Sequence, residues 1–406
     1  MTKLHHGTFR IIPNLRATVR RLWWKIMQVT GLRTITKDWN VFLHEYRSTH
    51  LQSMPANINV LLSAGCSGRW YFDWITENYG QVEQHIGIEY YLPKPDDLPV
   101  NVKWINNNVS DMSGVTDESV DLVYSGQNIE HLWPNDVIAF ISEAWRVLRP
   151  EGHLVIDSPN REITAALNWS NPEHTVEFTV DEALELCALG GFEVRSMKGL
   201  WLCKDPKTGK NLKQWGHRSI DRLIKKRMLG AADNPEKSFI WWMEAKKTSQ
   251  PPQRKKLQKH MNQVFKKAWP ERVQRLRLKE GTKIVEGGDG IWINVDKKAK
   301  GVIFDGPNMP LWTGSHIVSF RLRFNDRLPA STEPVARVEV VCLSRDDPIA
   351  RVDVYPTDGE HKVELSFELD QLEFGLQFCL VSYGRAPFQA RFAIDLDSGP
   401  FEDILA

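Results

Sequence analysis

Residues 59–68, Asn-Val-Leu-Leu-Ser-Ala-Gly-Cys-Ser-Gly, decide the fold class of the first half of the chain. Their apolar run, 60–62, stops at a turn of small residues that contains Gly65 and Gly68. An amphipathic segment, 70–79, follows the turn. A strand, a glycine turn and a helix in this order bring backbone N–H groups and a helix N-terminus up to a bound nucleotide-like cofactor. The stretch therefore predicts an α/β fold with a cofactor site at the turn.

An acidic residue ends the next apolar run. Residues 85–88, His-Ile-Gly-Ile, lead into Glu89, which lies twenty-one positions after Gly68. A carboxylate at this place can accept hydrogen bonds from both hydroxyls of a ribose. The turn and the acid together predict a cofactor that contains a nucleoside.

Strands alternate with helices over residues 57–247, which predicts a mainly parallel sheet. The seven predicted strands are 58–63, 85–89, 102–106, 120–125, 153–157, 192–198 and 239–245. We expect the last of them to be an antiparallel addition at the sheet edge. An insertion rich in Lys, Gly and Asp, 199–237, is predicted either to cover the site or to be a solvated surface elaboration.

The pattern of charged and apolar residues changes along the 406-residue chain and predicts four parts. Residues 1–50 form a basic N-terminal helical segment, and residues 51–247 form the α/β domain. Residues 248–280 are predicted to be a basic helical linker. From 281 to 406 apolar and polar residues alternate between turns, which predicts an all-β sandwich.

Charge is uneven along the chain, although the formal net charge is only +1. Lys and Arg are concentrated in residues 1–37 and 246–279, which points to a basic region facing an anionic membrane or nucleic acid. The N-terminal stretch is either a helix packed on the next domain or a peripheral membrane contact with Trp23 and Trp24 at the interface. Its Arg-bearing, acid-free start is also compatible with an organellar transit peptide.

The five cysteines are scattered without C-x-x-C spacing, so the sequence predicts neither a disulfide framework nor a zinc site. No carboxylate cluster in the sequence argues for another metal, so we assign no metal ligands and leave metal dependence open. No apolar run approaches about 18 residues, and the N-terminus has no clean apolar signal core. We therefore expect a cytoplasmic protein, with peripheral contact at the inner membrane through the basic segments.

Residues 57–247 resemble the class I S-adenosylmethionine-dependent methyltransferases. The resemblance is carried by the glycine turn with Glu89, by 108–112, by Asp121-Leu-Val-Tyr-Ser-Gly-Gln-Asn-Ile-Glu-His-Leu132 and by Glu143-Ala-Trp-Arg-Val-Leu-Arg-Pro-Glu-Gly152. It implies a Rossmann-like seven-stranded sheet and S-adenosyl-L-methionine as the cofactor. The family usually has an acid where Ser63 stands and three glycines at the turn, so this chain departs from the pattern there.

The resemblance also implies which residues contact the cofactor. Asp111 is expected near the adenine amine, flanked by Ser110 and Met112, while Gln127 and Asn128 border the methionine end. The full set of expected cofactor-binding residues is Ser63, Gly65, Cys66, Gly68, Glu89, Ser110, Asp111, Met112, Gln127 and Asn128.

Methyl transfer requires the protein to align donor and acceptor, to exclude water and to remove the acceptor's proton. His131 and His174 follow the fourth and fifth predicted strands and are the candidate bases. We favour His174, with Asp157 or Glu173 as its orienting acid. The alternatives are that His131 bonds locally at a helix start and that His174 holds a loop in place.

Residues 281–406 resemble, more loosely, the β-sandwich modules of bacterial surface-polysaccharide enzymes. The similar segments are Phe304-Asp-Gly-Pro307, Leu311-Trp-Thr-Gly314 and Phe374-Gly-Leu-Gln-Phe378. This resemblance implies a glycan or lipid-linked sugar acceptor, and tryptophans could supply sugar-stacking faces. The candidates for that contact are Trp169, Trp201, Trp241, Trp242, Trp292 and Trp312.

The leading hypothesis is thus an O-methyltransferase of a sugar in a bacterial surface polysaccharide or lipid-linked glycan. One alternative is a methyltransferase of RNA or of a small metabolite, although no RNA-binding motif accompanies the basic segments and nucleic acid is not the expected partner. The other alternative is a non-catalytic scaffold with a glycan-binding module, which the departure at Ser63 keeps open.

Overall fold

The computed structural model describes residues 39–212, 220–280, 282–287, 290–324 and 333–398. The predictions for residues 1–38, including the membrane contact through Trp23 and Trp24, lie outside this part of the chain. Within the described ranges, no helix is both long and apolar enough to cross a membrane.

The first half of the chain forms one seven-stranded sheet, as predicted. Its strands are β1 (Val60–Ala64), β2 (Gln84–Glu89), β3 (Val102–Asn106), β4 (Val120–Gly126), β5 (Leu148–Pro159), β6 (Phe192–Leu202) and β7 (Ser238–Lys247). Their order in the sheet is β3-β2-β1-β4-β5-β7-β6. The first five strands are parallel, whereas β7 is antiparallel to both of its neighbours.

The expected edge position of the last strand is wrong. Strand β7 lies between β5 and β6, so that β6 forms the edge of the sheet. The run Phe239-Ile-Trp-Trp-Met243 is apolar on both faces, and Trp241 and Trp242 have no exposed surface. A strand with two apolar faces is stable only where both are covered, which places it inside the sheet.

Helices cover the two faces of this sheet. They are α1 (Trp39–Leu51), α2 (Arg69–Asn78), α3 (Pro134–Val147), α4 (Arg161–Ala166), α5 (Val180–Leu189) and α6 (Ile220–Ala232). Helix α5 begins with a capping box, in which the Thr179 hydroxyl accepts from the Glu182 N–H and the Glu182 carboxylate accepts from the Thr179 N–H. Such reciprocal bonds satisfy backbone donors that a helix start leaves unpaired.

The predicted basic linker contains a long helix, α7 (Arg254–Val273), that packs into the molecule. Its apolar side, with Leu257, Met261 and Phe265, is buried. Near its end Trp269 lies against Trp133 of the first domain and against Trp312 of the C-terminal region. The helix therefore joins the two parts through one continuous hydrophobic core.

The C-terminal region is all-β, as predicted, and consists of two six-stranded sheets. One contains β9 (Lys283–Gly287), β10 (Gly290–Val295), β13 (Gly314–Phe324), β16 (Gly359–Leu369), β18 (Phe388–Arg391) and β19 (Asp395–Asp397). The other contains β8 (Arg277–Leu278), β11 (Lys300–Asp305), β12 (Pro307–Leu311), β14 (Ala336–Val341), β15 (Ala350–Val354) and β17 (Glu373–Tyr383). Inward side chains of the two sheets meet, as where Phe304 stacks on Phe320 with ring centroids 6.1 Å apart.

Hydrogen bonds connect this β-sandwich to the first domain at the carboxyl edge of the seven-stranded sheet. The Ser170 hydroxyl donates to the Pro307 carbonyl at 2.7 Å, and the Gly375 N–H donates to the Pro172 carbonyl at 3.2 Å. Both partners in the first domain belong to the connection between α4 and α5. The sandwich thus lies beside the loops that follow the parallel strands.

Candidate functional site

A cavity of about 500 Å³ opens at the carboxyl ends of β1, β2 and β4. Ligand sites of open α/β sheets occur at this edge, where the strand order reverses. The volume is within the range of small-molecule sites in proteins. The residues that line it from the first domain are Gly65, Ser67, Ile88, Glu89, Tyr90, Tyr91, Leu92, Asn108, Val109, Gln127, Asn128, His131, Leu132, Trp133, Asp136 and Glu173.

The glycine turn forms the floor of the cavity. Gly65 has φ +81°, and a Cβ at this position would lie 2.6 Å from Asn128 Oδ1. The N–H groups of Gly65 and Cys66 both donate to the Ile88 carbonyl, which fastens the turn to the end of β2. A left-handed conformation in so close a space admits only glycine.

Two of the predicted turn residues lie behind the cavity instead of lining it. Ser63 and Cys66 have no exposed surface. The Ser63 hydroxyl pairs with His85 Nε2 at 2.8 Å, and burial raises the pKa of the Cys66 thiol. Gly68 has φ +84° at the start of α2 and does not line the cavity, whereas Ser67 does.

Glu89 lies at the end of β2 with its carboxylate on the cavity wall. Its Oε1 accepts from the Tyr91 N–H at 2.9 Å and from the Leu92 N–H at 3.2 Å. These bonds hold the carboxylate at the strand end, with the side chain only 8% exposed. The acid predicted from the sequence is therefore at the position where it can accept ribose hydroxyls.

The turn after β3 differs from the prediction. Asn108 and Val109 line the cavity, whereas Ser110 and Asp111 border a separate depression beside α3. Met112 has no exposed surface and packs in the core, so it cannot flank a ligand ring. The reason is the tight turn after Asn107, in which the Asp111 N–H donates to the Asn108 carbonyl and points the later residues away.

Gln127 and Asn128 line the cavity just after β4, as expected. Gln127 has a left-handed backbone, with φ +54°. Its N–H donates to the Asp157 carbonyl at 2.8 Å, and its side-chain amide donates to Asp157 Oδ1 at 2.7 Å. The end of β5 therefore determines the position of Gln127.

Asp157 belongs to a buried polar network and does not orient His174. Arg47 of α1 and the Tyr124 hydroxyl bond to its carboxylate, with Arg47 Nε 2.8 Å from Asp157 Oδ1. Asp157 has no exposed surface. The predicted pairing of Asp157 with His174 is thus wrong, because Arg47 from a distant segment satisfies the acid.

The two candidate histidines lie together, but only His131 lines the cavity. Their ring centroids are 4.7 Å apart at an interplanar angle of 82°. His174 is 4% exposed and lies behind His131. Burial lowers the pKa of His131 to about 3 and also lowers that of His174, so both imidazoles are neutral at neutral pH. His174, which we favoured as the base, does not reach the cavity surface.

The acid that orients His174 is Glu177, whereas Glu173 lies on the cavity rim. His174 Nδ1 is 3.1 Å from Glu177 Oε1. Arg275 and Arg272 contact the same carboxylate at 3.0 and 3.5 Å. Burial alone would raise the pKa of Glu177, but the bond to His174 and the two arginines lower it. The sequence carried one signal for this pair, the three-residue spacing between His174 and Glu177.

Glu130, next to His131, is completely buried and was missed by the sequence analysis. Neither carboxylate oxygen has a hydrogen-bond partner in the described structure. Its Oε1 is 3.9 Å from His174 Nε2. Burial raises the pKa of Glu130 to about 8.

The sandwich supplies the remaining wall of the cavity through Leu372 and Phe374. On the first domain Tyr90 and Tyr91 stand at the rim, with 58% and 71% of their surface exposed. The predicted sugar-stacking tryptophans are placed differently. Trp201, Trp241, Trp242 and Trp292 are buried, while Trp169 and Trp312 are partly buried in packing contacts.

Similarity to known proteins agrees with this architecture. Residues 62–156 match the family model described as "Methyltransferase domain". A "Probable S-adenosylmethionine-dependent methyltransferase" of Mycolicibacterium smegmatis is 35% identical over 190 residues, which are 43% of this chain and 69% of that protein. A protein of the same description from Mycobacterium tuberculosis is 30% identical over 225 residues, covering 52% of this chain and 77% of that protein.

Among solved structures, an S-adenosylmethionine-dependent methyltransferase from Archaeoglobus fulgidus aligns with a TM-score of 0.36 and 18% identity, over 52% of this chain and 100% of that one. The family assignment depends on the sequence relatives, which this chain covers over more than two thirds of their length. The chain belongs to the class I S-adenosylmethionine-dependent methyltransferases, and S-adenosyl-L-methionine is its cofactor.

Proposed function

We propose that this methyltransferase transfers the methyl group to a hydroxyl of a sugar, in a bacterial surface polysaccharide or its lipid-linked precursor. The observation that carries the proposal is the shared cavity, where Leu372 and Phe374 of the sandwich face Gly65 and Glu89 of the cofactor side. A β-sandwich that forms part of the reaction cavity is suited to select the acceptor. The chain belongs to a family of enzymes, which argues against a non-catalytic scaffold.

On the cofactor side, Glu89 would accept the ribose hydroxyls, and the space above Gly65 would admit the cofactor close to the backbone. Gln127 and Asn128 would border its methionine end. The bound cofactor supplies an electrophilic methyl group on a sulfonium. The residues around it have to align the acceptor with that carbon and exclude water.

On the acceptor side, the exposed rings of Tyr90 and Tyr91 meet Phe374 and Trp133 around one opening. Aromatic side chains with a large apolar face and a polar edge suit ligands that are partly apolar and partly polar. The C–H faces of a pyranose fit this description. These rings, and not the buried tryptophans, are our proposed sugar contacts.

The acceptor's proton would leave on the His131 side of the cavity. Among the described lining residues His131 is the one histidine. A pKa of about 3 makes its imidazole alone a weak base at neutral pH. Proton removal would therefore need a further group beside His131, and His174 and Glu130 lie directly behind it.

The basic segment supports a location at an anionic surface more than RNA recognition. Arg272 and Arg275 are buried against Glu177 and cannot contact a partner. The exposed basic residues of α7 are Arg254, Lys255, Lys256, Lys259, Lys266 and Lys267. A cationic helix face of this kind attracts anionic lipid headgroups, which agrees with a lipid-linked acceptor at the membrane. RNA remains the alternative partner for the same face.

The test is an acceptor screen with methyl-labelled S-adenosylmethionine and the full chain. The acceptors are lipid-linked oligosaccharide, surface polysaccharide, total RNA and a set of small hydroxylated metabolites. We expect label in the glycan fractions alone. Label in RNA or in a metabolite, or none in any fraction from protein that binds the cofactor, would overturn the proposal.

A matched pair of variants tests the role of the sandwich. Phe374→Ala should raise KM for the glycan about tenfold or more, because it removes an aromatic anchor. The affinity for S-adenosylhomocysteine should not change. Tyr355→Ala, an exposed aromatic of the sandwich outside the cavity, should leave both values as in the wild type.

A further inference from the structure

Glu130 is an acidic residue whose side chain is completely buried. It has no exposed surface, and both of its oxygens lack a hydrogen-bond partner in the described structure. Leaving such a group unsatisfied costs free energy, because burial removes it from water without replacement. A group that satisfies the Glu130 carboxyl oxygens therefore has to be held by the residues that surround them.

Two imidazoles lie beside this carboxylate. One ligand atom from each of Glu130, His131 and His174 can be chosen so that all three lie within 4.8 Å of one another. Glu130 Oε1 and His174 Nε2 are 3.9 Å apart. Two imidazoles and one carboxylate are a ligand set that proteins use for divalent transition metals.

The other ring nitrogen of His174, Nδ1, is already hydrogen-bonded to a carboxylate, as is usual for histidines that bind metals. Its Nδ1 is 3.1 Å from Glu177 Oε1, so that Nε2 is directed at Glu130. Histidines that bind metals usually donate their other N–H to a carboxylate, which fixes tautomer and orientation. Glu177 is in turn held by Arg272, Arg275 and the Thr164 hydroxyl.

We propose that Glu130, His131 and His174 bind one divalent transition-metal ion of the zinc class at the wall of the cavity. In a tetrahedral zinc site with bonds of about 2.0–2.1 Å, ligand atoms lie about 3.3 Å apart. From the present distances, Glu130 and His174 have to approach each other by less than about 1 Å, and the pairs with His131 by up to about 1.5 Å. Three protein ligands leave the fourth position for water or substrate.

The proposed metal binding does not depend on which molecule accepts the methyl group, so it can be tested without knowing the acceptor. An ion at this place would act as a Lewis acid and lower the pKa of a hydroxyl bound to it. The sequence gives no local signal for this site, because His174 lies far along the chain from the Glu130-His131 pair.

The test is metal binding by the full chain after dialysis against chelator. Titration with Co²⁺ should give one equivalent with visible d–d absorption, and equilibrium dialysis should give one bound Zn²⁺ that raises the unfolding temperature. Glu130→Gln and His174→Gln should each weaken that site by more than the roughly 10–100-fold typical for outer-shell partners. His361→Gln, on the sandwich, is the matched control and should bind normally.

Circular dichroism of each variant establishes that it is folded, and Glu130→Gln preserves the shape of the side chain. The proposal is overturned if folded wild-type protein gives no Co²⁺ absorption. It is equally overturned if both folded variants keep the same equivalent with the same affinity, because the ion then binds elsewhere.

Discussion

Arg47 and Asp157 form a buried ion pair that joins helix α1 to the end of strand β5. Arg47 Nε lies 2.8 Å from Asp157 Oδ1, and the carboxylate has no exposed surface. The same carboxylate accepts from the Gln127 side chain, which lines the cavity. A helix outside the matched family segment thus contributes, through Asp157, to the position of a residue that lines the cavity.

Arg47→Met should lower the free energy of unfolding by about 3–5 kcal/mol, because it leaves Asp157 buried without its counter-charge. Urea denaturation measures this loss. Adding Asp157→Asn to the variant should recover part of the stability, since the uncompensated charge is then gone. Arg195→Met, which breaks an exposed pair with Glu193, is the control and should cost at most about 1 kcal/mol. An equal cost for both variants would contradict a structural role of the buried pair.

Glu89→Ala should reduce the affinity for S-adenosylmethionine about 10- to 100-fold, because hydrogen bonds to a charged acceptor contribute about 1.5–3 kcal/mol. Isothermal titration with S-adenosylmethionine and S-adenosylhomocysteine measures the change. Glu83→Ala alters an exposed acid before the other end of β2 and should bind as the wild type does. Unchanged affinity in folded Glu89→Ala protein would remove Glu89 from the cofactor site.

Comparing Gly65→Ala with Gly68→Ala distinguishes the effect of backbone strain from that of a Cβ that contacts a neighbouring side chain. Both glycines have a positive φ, +81° and +84°, so both substitutions introduce backbone strain, of about 1–3 kcal/mol each. A Cβ at Gly65 would also meet Asn128, whereas Gly68 has nothing within 4 Å. We expect Gly65→Ala to lose cofactor affinity about tenfold more than Gly68→Ala, by the same titration. Equal losses of affinity would show that backbone strain, and not the contact of a Cβ with Asn128, causes the effect.

Acid should destabilise the protein through His85. Burial lowers the pKa of this histidine to about 3, whereas the unfolded chain has its ordinary value near 6.5. Between these values the unfolded state binds the proton and the folded state does not, so stability falls as pH decreases from 6.5 toward 3. One such group contributes a slope of up to about 1.4 kcal/mol per pH unit.

Replacing His85 by Gln isolates this contribution, because the amide can still pair with the Ser63 hydroxyl. Urea unfolding at pH 7, 6 and 5 should give a flatter pH dependence for His85→Gln than for the wild type. Parallel curves would mean that His85 is protonated in the folded state as readily as in the unfolded one.

Patterns along the chain predicted all seven strands and the all-β C-terminal region, although β5 begins five residues earlier and β6 ends four residues later than predicted. Strand β3, for example, has the predicted bounds 102–106, because an apolar run between turn residues is a local signal. Spatial order is not local, and the inner position of β7 was missed for that reason. The signal that could have corrected it was the pair Trp241 and Trp242, which makes both faces of the strand apolar.

The α/β class, the tight turn at Gly65 and the position of Glu89 at the end of β2 follow from the sequence, since each depends on the conformations of neighbouring residues. Tertiary packing brings Phe374 to the cavity that Gly65 also lines, Arg47 to Asp157, and His174 to Glu130 and His131. These contacts connect residues far apart in the chain. They result from the packing of helices and sheets on one another, which periodicity within a single segment does not encode.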